Sequence, residues 1–252
     1  MSITISEYAL VYNLLSFAIA ALLGGSVFFF LSRSAVMDRY RPALLVSGLV
    51  TTIACYHYFR IFQSWEAAYQ FDIATQKYIA TGLPFNDAYR YMDWILTVPL
   101  LLVELVAVLA LPLRESRPLL TKLSVAAFLM IALGYPGELT HDPMPRYLWG
   151  TLSTIPFIYI LVTLWTKLQD SLKSQPEAVR SLISGARLLI LITWGFYPIA
   201  YLLWDKLPGS AGLVGVQVGY SIADILSKVG LGVIIYFIAV AKSEASAAPS
   251  IA

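Results

Sequence analysis

Four polar residues interrupt an otherwise apolar stretch of the chain, 88–105, with the sequence AYRYMDWILTVPLLLVEL. They are Arg90, Asp93, Thr97 and Glu104. At about 100° per residue of an α-helix, all four fall within roughly 60° of Asp93 and form one stripe. Asp93 and Glu104 are separated by roughly 16 Å along the axis, about half of a bilayer core. Because ionisable groups at such depth are costly, the stripe predicts a path for charge.

A second pair of charges lies in the last apolar stretch, SIADILSKVGLGVIIYFIA. Asp224 and Lys228 are four residues apart and therefore share a helix face. One interpretation is a buried ion pair that fixes packing. The other is a desolvated lysine that condenses with an aldehyde to give a Schiff base, with Asp93 and Asp224 as counter-ions. Spacing alone leaves both interpretations open.

Aromatic residues of the sixth apolar segment, in TWGFYPIAY, recur at helical spacing. Trp194, Tyr197, Pro198 and Tyr201 lie broadly on one side of a helix. Aromatic residues at this spacing usually belong to a core. Here they could also wall a slot for a flat apolar ligand, with Trp94 beside Asp93 as another wall.

Composition places these charges in a membrane protein. Of 252 residues, 59% are hydrophobic and 13% charged, whereas soluble domains have about 25% charged residues. The net charge of +2, without a basic run that interleaves aromatics, gives no sign of nucleic-acid binding. The only cysteine, Cys55, cannot form an intrachain disulfide or a cysteine-based metal site, and we expect no metal.

Seven apolar segments predict the transmembrane helices. They cover residues 8–31, 42–69, 88–111, 119–139, 146–167, 180–205 and 213–241. The longest break contains ATQKYIATG, which predicts a short hairpin. With the N-terminus outside, Lys and Arg number ten on the cytoplasmic side against three outside. We therefore predict an all-α, multi-pass protein of the cell (plasma or inner) membrane. It is a single seven-helix domain over 1–252, with the C-terminus cytoplasmic.

Three motifs, RYMDWILTVPLLLVE, the WxxYP run and DxxxK, together resemble microbial (type 1) rhodopsins over nearly the whole chain. Those seven-helix proteins carry retinal as a protonated Schiff base. The stripe on the third segment, His57 in IACYHYFR and GYPGE at 134–138 resemble the proteorhodopsin and xanthorhodopsin-like proton pumps in particular. The resemblance implies a light-driven outward proton pump, not an enzyme, with all-trans retinal as cofactor.

The resemblance also implies roles for single residues. Lys228 would bind retinal, Asp93 would be counter-ion and proton acceptor, and Asp224 the second counter-ion. Glu104, kept protonated by burial, would be the cytoplasmic donor, and His57 would pair with Asp93. Two further residues of the stripe would act around the acceptor: Thr97 by hydrogen bonding and Arg90 by tuning the outer half.

Pocket positions follow from the same resemblance. They are Met130, Phe157, Trp194, Tyr197 and Pro198, together with Leu101, which implies green absorption. Gly150 falls where xanthorhodopsin-like pumps have a glycine that opens a window for a carotenoid antenna, here hydroxylated, such as lutein or zeaxanthin. The alternative for Gly150 is helix packing, since glycine is common in membrane helices.

Two other functions stay open: a sensory photoreceptor of the same fold, and a cofactor-free ion transporter that uses the same charges. The expected partners are retinal, the lipid bilayer and other copies of the chain, with a pentamer favoured because relatives assemble as rings. Near the outer end of the fourth segment, Glu138 and His141 are interpreted as solvated loop residues.

Overall fold

The computed structural model describes residues 2–109, 111–140, 142–172, 175, 177–203 and 209–247. Over these residues seven helices are long and apolar enough to cross a membrane, which confirms the predicted bundle. The first six are α1 (Ile5–Leu31), α2 (Arg41–Ala68), α3 (Tyr89–Leu109), α4 (Leu113–Glu138), α5 (Pro143–Leu172) and α6 (Glu177–Leu203). The seventh, α7, consists of Ala211–Ile225, a π-helical turn at Leu226–Gly230, and Leu231–Ala247.

Several helices, among them α4, α5 and α7, are longer than the apolar pattern indicates. α4 begins at Leu113, six residues before the predicted start, and α5 covers 143–172 where 146–167 was predicted. The first turn of α4 is polar: backbone amides of Glu115 and Ser116 donate to the carbonyl oxygen of Pro112. Apolar periodicity misses such turns because they extend past the hydrocarbon layer. The predicted end of the sixth helix, Asp205, lies outside the described residues.

A three-stranded antiparallel sheet lies at the N-terminal end of α1. Strands β2 (Tyr69–Asp72) and β3 (Lys77–Ala80) form the predicted hairpin, and β1 (Ser2–Ile3) pairs with the other edge of β3. Tyr8 of α1 stacks on Tyr78 of β3 with ring centroids 3.7 Å apart. The sheet therefore ties the start of α1 to the connection between α2 and α3.

The polar stripe of α3 faces the interior of the bundle, between α2, α4 and α7. All four of its members are buried, whereas Met92 and Leu96, to one side of the stripe, are 40% and 51% exposed. In a bilayer such exposed apolar residues contact lipid. The helix thus keeps its polar side chains in the core, while part of its apolar surface faces the membrane.

Candidate functional site

Lys228 lies in the π-helical turn of α7 and is only 2% exposed. Its Nζ donates a hydrogen bond to Asp224 Oδ1 at 2.7 Å and lies 3.2 Å from Asp93 Oδ2. Turns of this rare type occur often at functional sites. One lysine nitrogen is thus held between two buried carboxylates of different helices.

The two carboxylates have unequal surroundings. Asp224 accepts hydrogen bonds from three more side chains: Tyr197 at 2.5 Å, Tyr58 at 2.7 Å and Trp94 at 3.3 Å. Neither carboxylate oxygen of Asp93 accepts a hydrogen bond from any described residue, and its contact with Lys228 is an ion pair without hydrogen-bond geometry. Negative charge is therefore better stabilised on Asp224 than on Asp93.

His57 and Thr97 flank Asp93 without hydrogen bonding to its carboxylate. His57 Nδ1 lies 2.9 Å from the carbonyl oxygen of Ile53 and 4.0 Å from Asp93 Oδ1. The Thr97 hydroxyl donates to the backbone carbonyl of Asp93 at 2.9 Å. Both residues lie beside Asp93, and their hydrogen bonds go to backbone oxygens.

Arg90 closes the site on the side of the N-terminal end of α3. Its buried guanidinium donates to Asp87 and, at 2.8 Å, to Gln217 Oε1, while Gln217 Nε2 donates to Asp87 Oδ2 at 2.8 Å. The guanidinium also lies over the rings of Tyr58 and Tyr220, at 5.5 and 5.3 Å. Arg90 is thus held by an acid, an amide and two aromatic rings.

Glu104 lies toward the other end of α3 and is fully buried. The Ser47 hydroxyl oxygen is 2.6 Å from Glu104 Oε2 and 3.1 Å from the carbonyl oxygen of Ala43. A hydroxyl has a single proton and cannot donate fully to both. Both contacts are satisfied when a protonated Glu104 donates to Ser47 and Ser47 donates to Ala43. No described basic residue forms an ion pair with Glu104, which also favours the neutral acid.

A largely apolar cavity begins at Lys228. The cavity together with its open mouth holds about 830 Å³ of space between atoms. Nine residues predicted for the pocket line it: Trp94, Leu101, Met130, Gly150, Phe157, Trp194, Tyr197, Pro198 and Tyr201. An amine at one end of an aromatic slot fits retinal, a long, flat and apolar aldehyde. No group of described residues could hold a metal ion.

Gly150 lies beneath a neighbouring aromatic ring. A Cβ atom placed on it would come within 2.6 Å of Tyr201 Cε1, so any larger residue would displace the ring from this part of the α5–α6 contact. The glycine therefore has a packing role.

Glu138 corrects one expectation. It ends α4 as a largely buried residue rather than a solvated loop residue, and its Oε2 lies 3.4 Å from Nη2 of Arg146. Burial is possible because Arg146, itself 5% exposed, balances the charge. His141 lies outside the described residues.

Several polar side chains of the site were not predicted. They are Ser47, Tyr58, Asp87, Gln217 and Tyr220. A signal for two of them exists: Ser47, Thr51 and Tyr58 have the same i, i+4, i+11 spacing on α2 as the stripe on α3. Because these three residues carry no charge, the pattern cannot be distinguished from that of an ordinary buried helix face.

Comparisons with known proteins agree with this geometry. The family model of bacteriorhodopsin-like proteins matches residues 10–242. The green-light absorbing proteorhodopsin of Gamma-proteobacterium EBAC31A08 is 31% identical over 227 residues, 89% of this chain and 84% of that protein. Among solved structures, xanthorhodopsin, described as a light-driven ion pump with dual chromophore, is 51% identical with a TM-score of 0.92, covering 98% of both chains. Thermophilic rhodopsin is 48% identical with a TM-score of 0.93, covering 98% of this chain and 99% of that one.

Proposed function

Since this chain belongs to the bacteriorhodopsin-like family, we propose that its light-driven proton transport uses Lys228 to hold retinal, Asp93 to accept a proton and Glu104 to supply one. The protein is a light-driven proton pump of the cell membrane, a transporter and not an enzyme. The observation that carries the assignment of roles is the position of Lys228 Nζ, between two unlike carboxylates at one end of an apolar cavity.

Bound at Lys228, retinal supplies the absorption of light and the change of shape that follows. In the dark, the positive charge at Nζ stabilises the ionised forms of both Asp93 and Asp224. Asp93 lacks other donors, so its negative charge depends on that contact more than the charge of Asp224 does. When the contact between Asp93 and Nζ weakens, Asp93 takes up the proton that was held at Nζ. Hydrogen bonds from Tyr58 and Tyr197 keep Asp224 ionised.

Glu104 completes the cycle from the opposite side. Its bonding with Ser47 favours a neutral acid in dry surroundings, which can release its proton toward Nζ. With the N-terminus outside, as the distribution of Lys and Arg supports, Glu104 lies on the cytoplasmic side and Asp93 on the outer side. Transport then runs outward, and Arg90 with Asp87 and Gln217 holds the outer end of the path.

We expect Glu104→Gln to slow the late, proton-uptake part of the photocycle by roughly 100-fold or more, the range of a lost general acid. Glutamine keeps the size of the side chain and loses the transferable proton. The test follows the light-induced pH change of weakly buffered vesicles, with and without retinal, together with flash photolysis. Ser47→Ala is the matched variant, because it removes the hydroxyl that contacts Glu104 and leaves Glu104 itself. We expect it to slow the late photocycle less than Glu104→Gln does. An unchanged late photocycle in Glu104→Gln would refute the donor role.

The same pH measurement tests the alternatives. A sensory photoreceptor gives a visible band but no sustained pH change, and a cofactor-free transporter works without retinal. We also propose a homo-oligomer, with a pentamer favoured, which native mass spectrometry of the pigment can check.

A carotenoid antenna at Gly150 is a further part of the proposal, supported by the likeness to xanthorhodopsin. After addition of zeaxanthin or lutein, we expect carotenoid-shaped bands in the action spectrum of pumping. Gly150→Phe should abolish these bands, because its ring and the displaced ring of Tyr201 would occupy the space beside position 150, and the retinal band shows whether the pigment still forms. Gly185→Phe on α6, where a Cβ meets no atom within 4 Å, serves as control. An action spectrum without carotenoid bands in the unmodified protein would exclude the antenna.

A further inference from the structure

Arg187 is an arginine inside a membrane-spanning helix that the proton path does not use. It lies ten residues after the start of α6 and is 8% exposed. Its guanidinium stacks on the ring of Trp165 of α5, with Cζ 3.9 Å from the ring centroid. Its Nε is buried without a hydrogen-bond partner, and no Asp or Glu in the described part of the chain forms an ion pair with it.

This arrangement leaves a cation only partly compensated. Stacking on tryptophan stabilises the charge over one face of the guanidinium. The N–H groups at its edge still require acceptors, because an unsatisfied charged donor in apolar surroundings is costly. The paired N–H donors of a guanidinium fit the oxygens of a phosphate or carboxylate.

Arg187 also lines a groove between α5 and α6 on the outside of the bundle. The groove holds about 820 Å³ of space and is lined mainly by aliphatic side chains. Ile158, Val162 and Leu191 on its walls are 54%, 59% and 44% exposed, so in a bilayer they face lipid. The groove is therefore shaped for an acyl chain, with a single cation among its walls.

The guanidinium of Arg187 is held toward the nearer ends of α5 and α6, because Trp165, on which it stacks, is closer to those ends than Arg187 is. Arg187 is roughly 15 Å from the start of α6, and Trp165 roughly 10 Å from the end of α5, at about 1.5 Å per residue. These helix ends form the side that the positive-inside rule assigns to the cytoplasm. Lys167 and Arg180 lie closer to the same ends, and arginine side chains reach along a helix toward the interface.

We propose that the groove between α5 and α6 binds one anionic phospholipid of the cytoplasmic leaflet, with its phosphate on Arg187 and an acyl chain along the aliphatic walls. Net negative charge distinguishes this lipid from a zwitterionic one, because the charge of Arg187 has no carboxylate partner among the described residues. Basic pockets between transmembrane helices on this side commonly bind such headgroups.

The test uses the retinal-loaded protein, stripped of lipid in detergent and titrated with dioleoyl phosphatidylglycerol or dioleoyl phosphatidylcholine under native mass spectrometry. We expect one phosphatidylglycerol to be retained in preference to phosphatidylcholine. Arg187→Gln should weaken that retention about tenfold, the loss of a charge-assisted hydrogen bond. Arg187→Lys should retain phosphatidylglycerol less well than wild type and better than Arg187→Gln, because lysine keeps the charge and loses the paired N–H donors of the guanidinium.

Arg180→Gln is the matched control, since it removes the same charge from an exposed position of the same helix, and we expect lipid retention to stay within about twofold of wild type. The visible band reports that each variant is folded. Equal retention of the two lipids, or equal retention by wild type and Arg187→Gln, would overturn the proposal. So would a change in oligomeric state without a change in bound lipid, which would assign the groove to a second copy of the chain.

Discussion

Lys228→Ala is expected to abolish the visible absorption band and to bring the light-induced pH change to baseline. Alanine has no amine to bind the chromophore, and no other lysine of the described chain lines the cavity. The measurement is an absorption spectrum after addition of all-trans retinal, followed by the pH recording under illumination. Lys122→Ala, at an exposed position of α4, should leave both signals unchanged.

The same substitution also tests the buried charges. Without Lys228, Asp93 and Asp224 remain as two carboxylates with no cation between them, and breaking a buried pair costs roughly 3–5 kcal/mol. We expect the melting temperature of the retinal-free protein to fall, and Lys228→Ala combined with Asp224→Asn to recover part of the loss. A visible band that survives Lys228→Ala would refute the assignment of Lys228.

Asp93→Asn is expected to reduce proton pumping to roughly 1% of wild type or less, the scale of a lost proton-transfer group. The visible band should persist, because Lys228 is intact, and should shift to longer wavelength, because a negative charge near Nζ is gone. Asparagine cannot take up the proton, although it fills the same space. Absorption spectra and vesicle pH recordings measure the two effects.

Asp224→Asn provides the comparison for Asp93→Asn. Tyr58 and Tyr197 would still have an oxygen to donate to, but without its charge, so we expect a less stable pigment and partial pumping. The assignments would be exchanged if Asp93→Asn pumped normally and Asp224→Asn did not. This outcome can be distinguished from misfolding, because both variants keep Lys228 and its band.

Periodicity predicted the polar stripe of α3 and the Asp224–Lys228 pair, because charge in an apolar helix is a strong signal. It could not predict the partners. Ser47 looks like any small core residue until Glu104 is placed beside it. The hydrogen bonds of Asp224 depend on the distance between α2, α6 and α7, which spacing within one helix does not contain.

Other features of the fold depend on contacts distant in sequence. Strand β1 has two residues, and only its pairing with Ile79 and Tyr78 makes it a strand. The sequence LSKVG carries no proline or other sign that its turn is π-helical. The position of the Tyr201 ring beside Gly150 also depends on how α5 meets α6, which the glycine alone could not predict.

Helix α2 places a side chain beside each of three buried carboxyl groups of the site: Ser47 beside Glu104, Tyr58 beside Asp224 and, at longer range, His57 beside Asp93. Ser47 and His57 are ten residues apart, roughly 15 Å along the axis, which matches the separation of Glu104 and Asp93. A small rigid displacement of this one helix would therefore alter the surroundings of donor and acceptor at the same time. Proton transfer from Glu104 and proton transfer to Asp93 then both depend on the position of α2. Substitutions that tilt α2 should therefore change the rates of both transfers together.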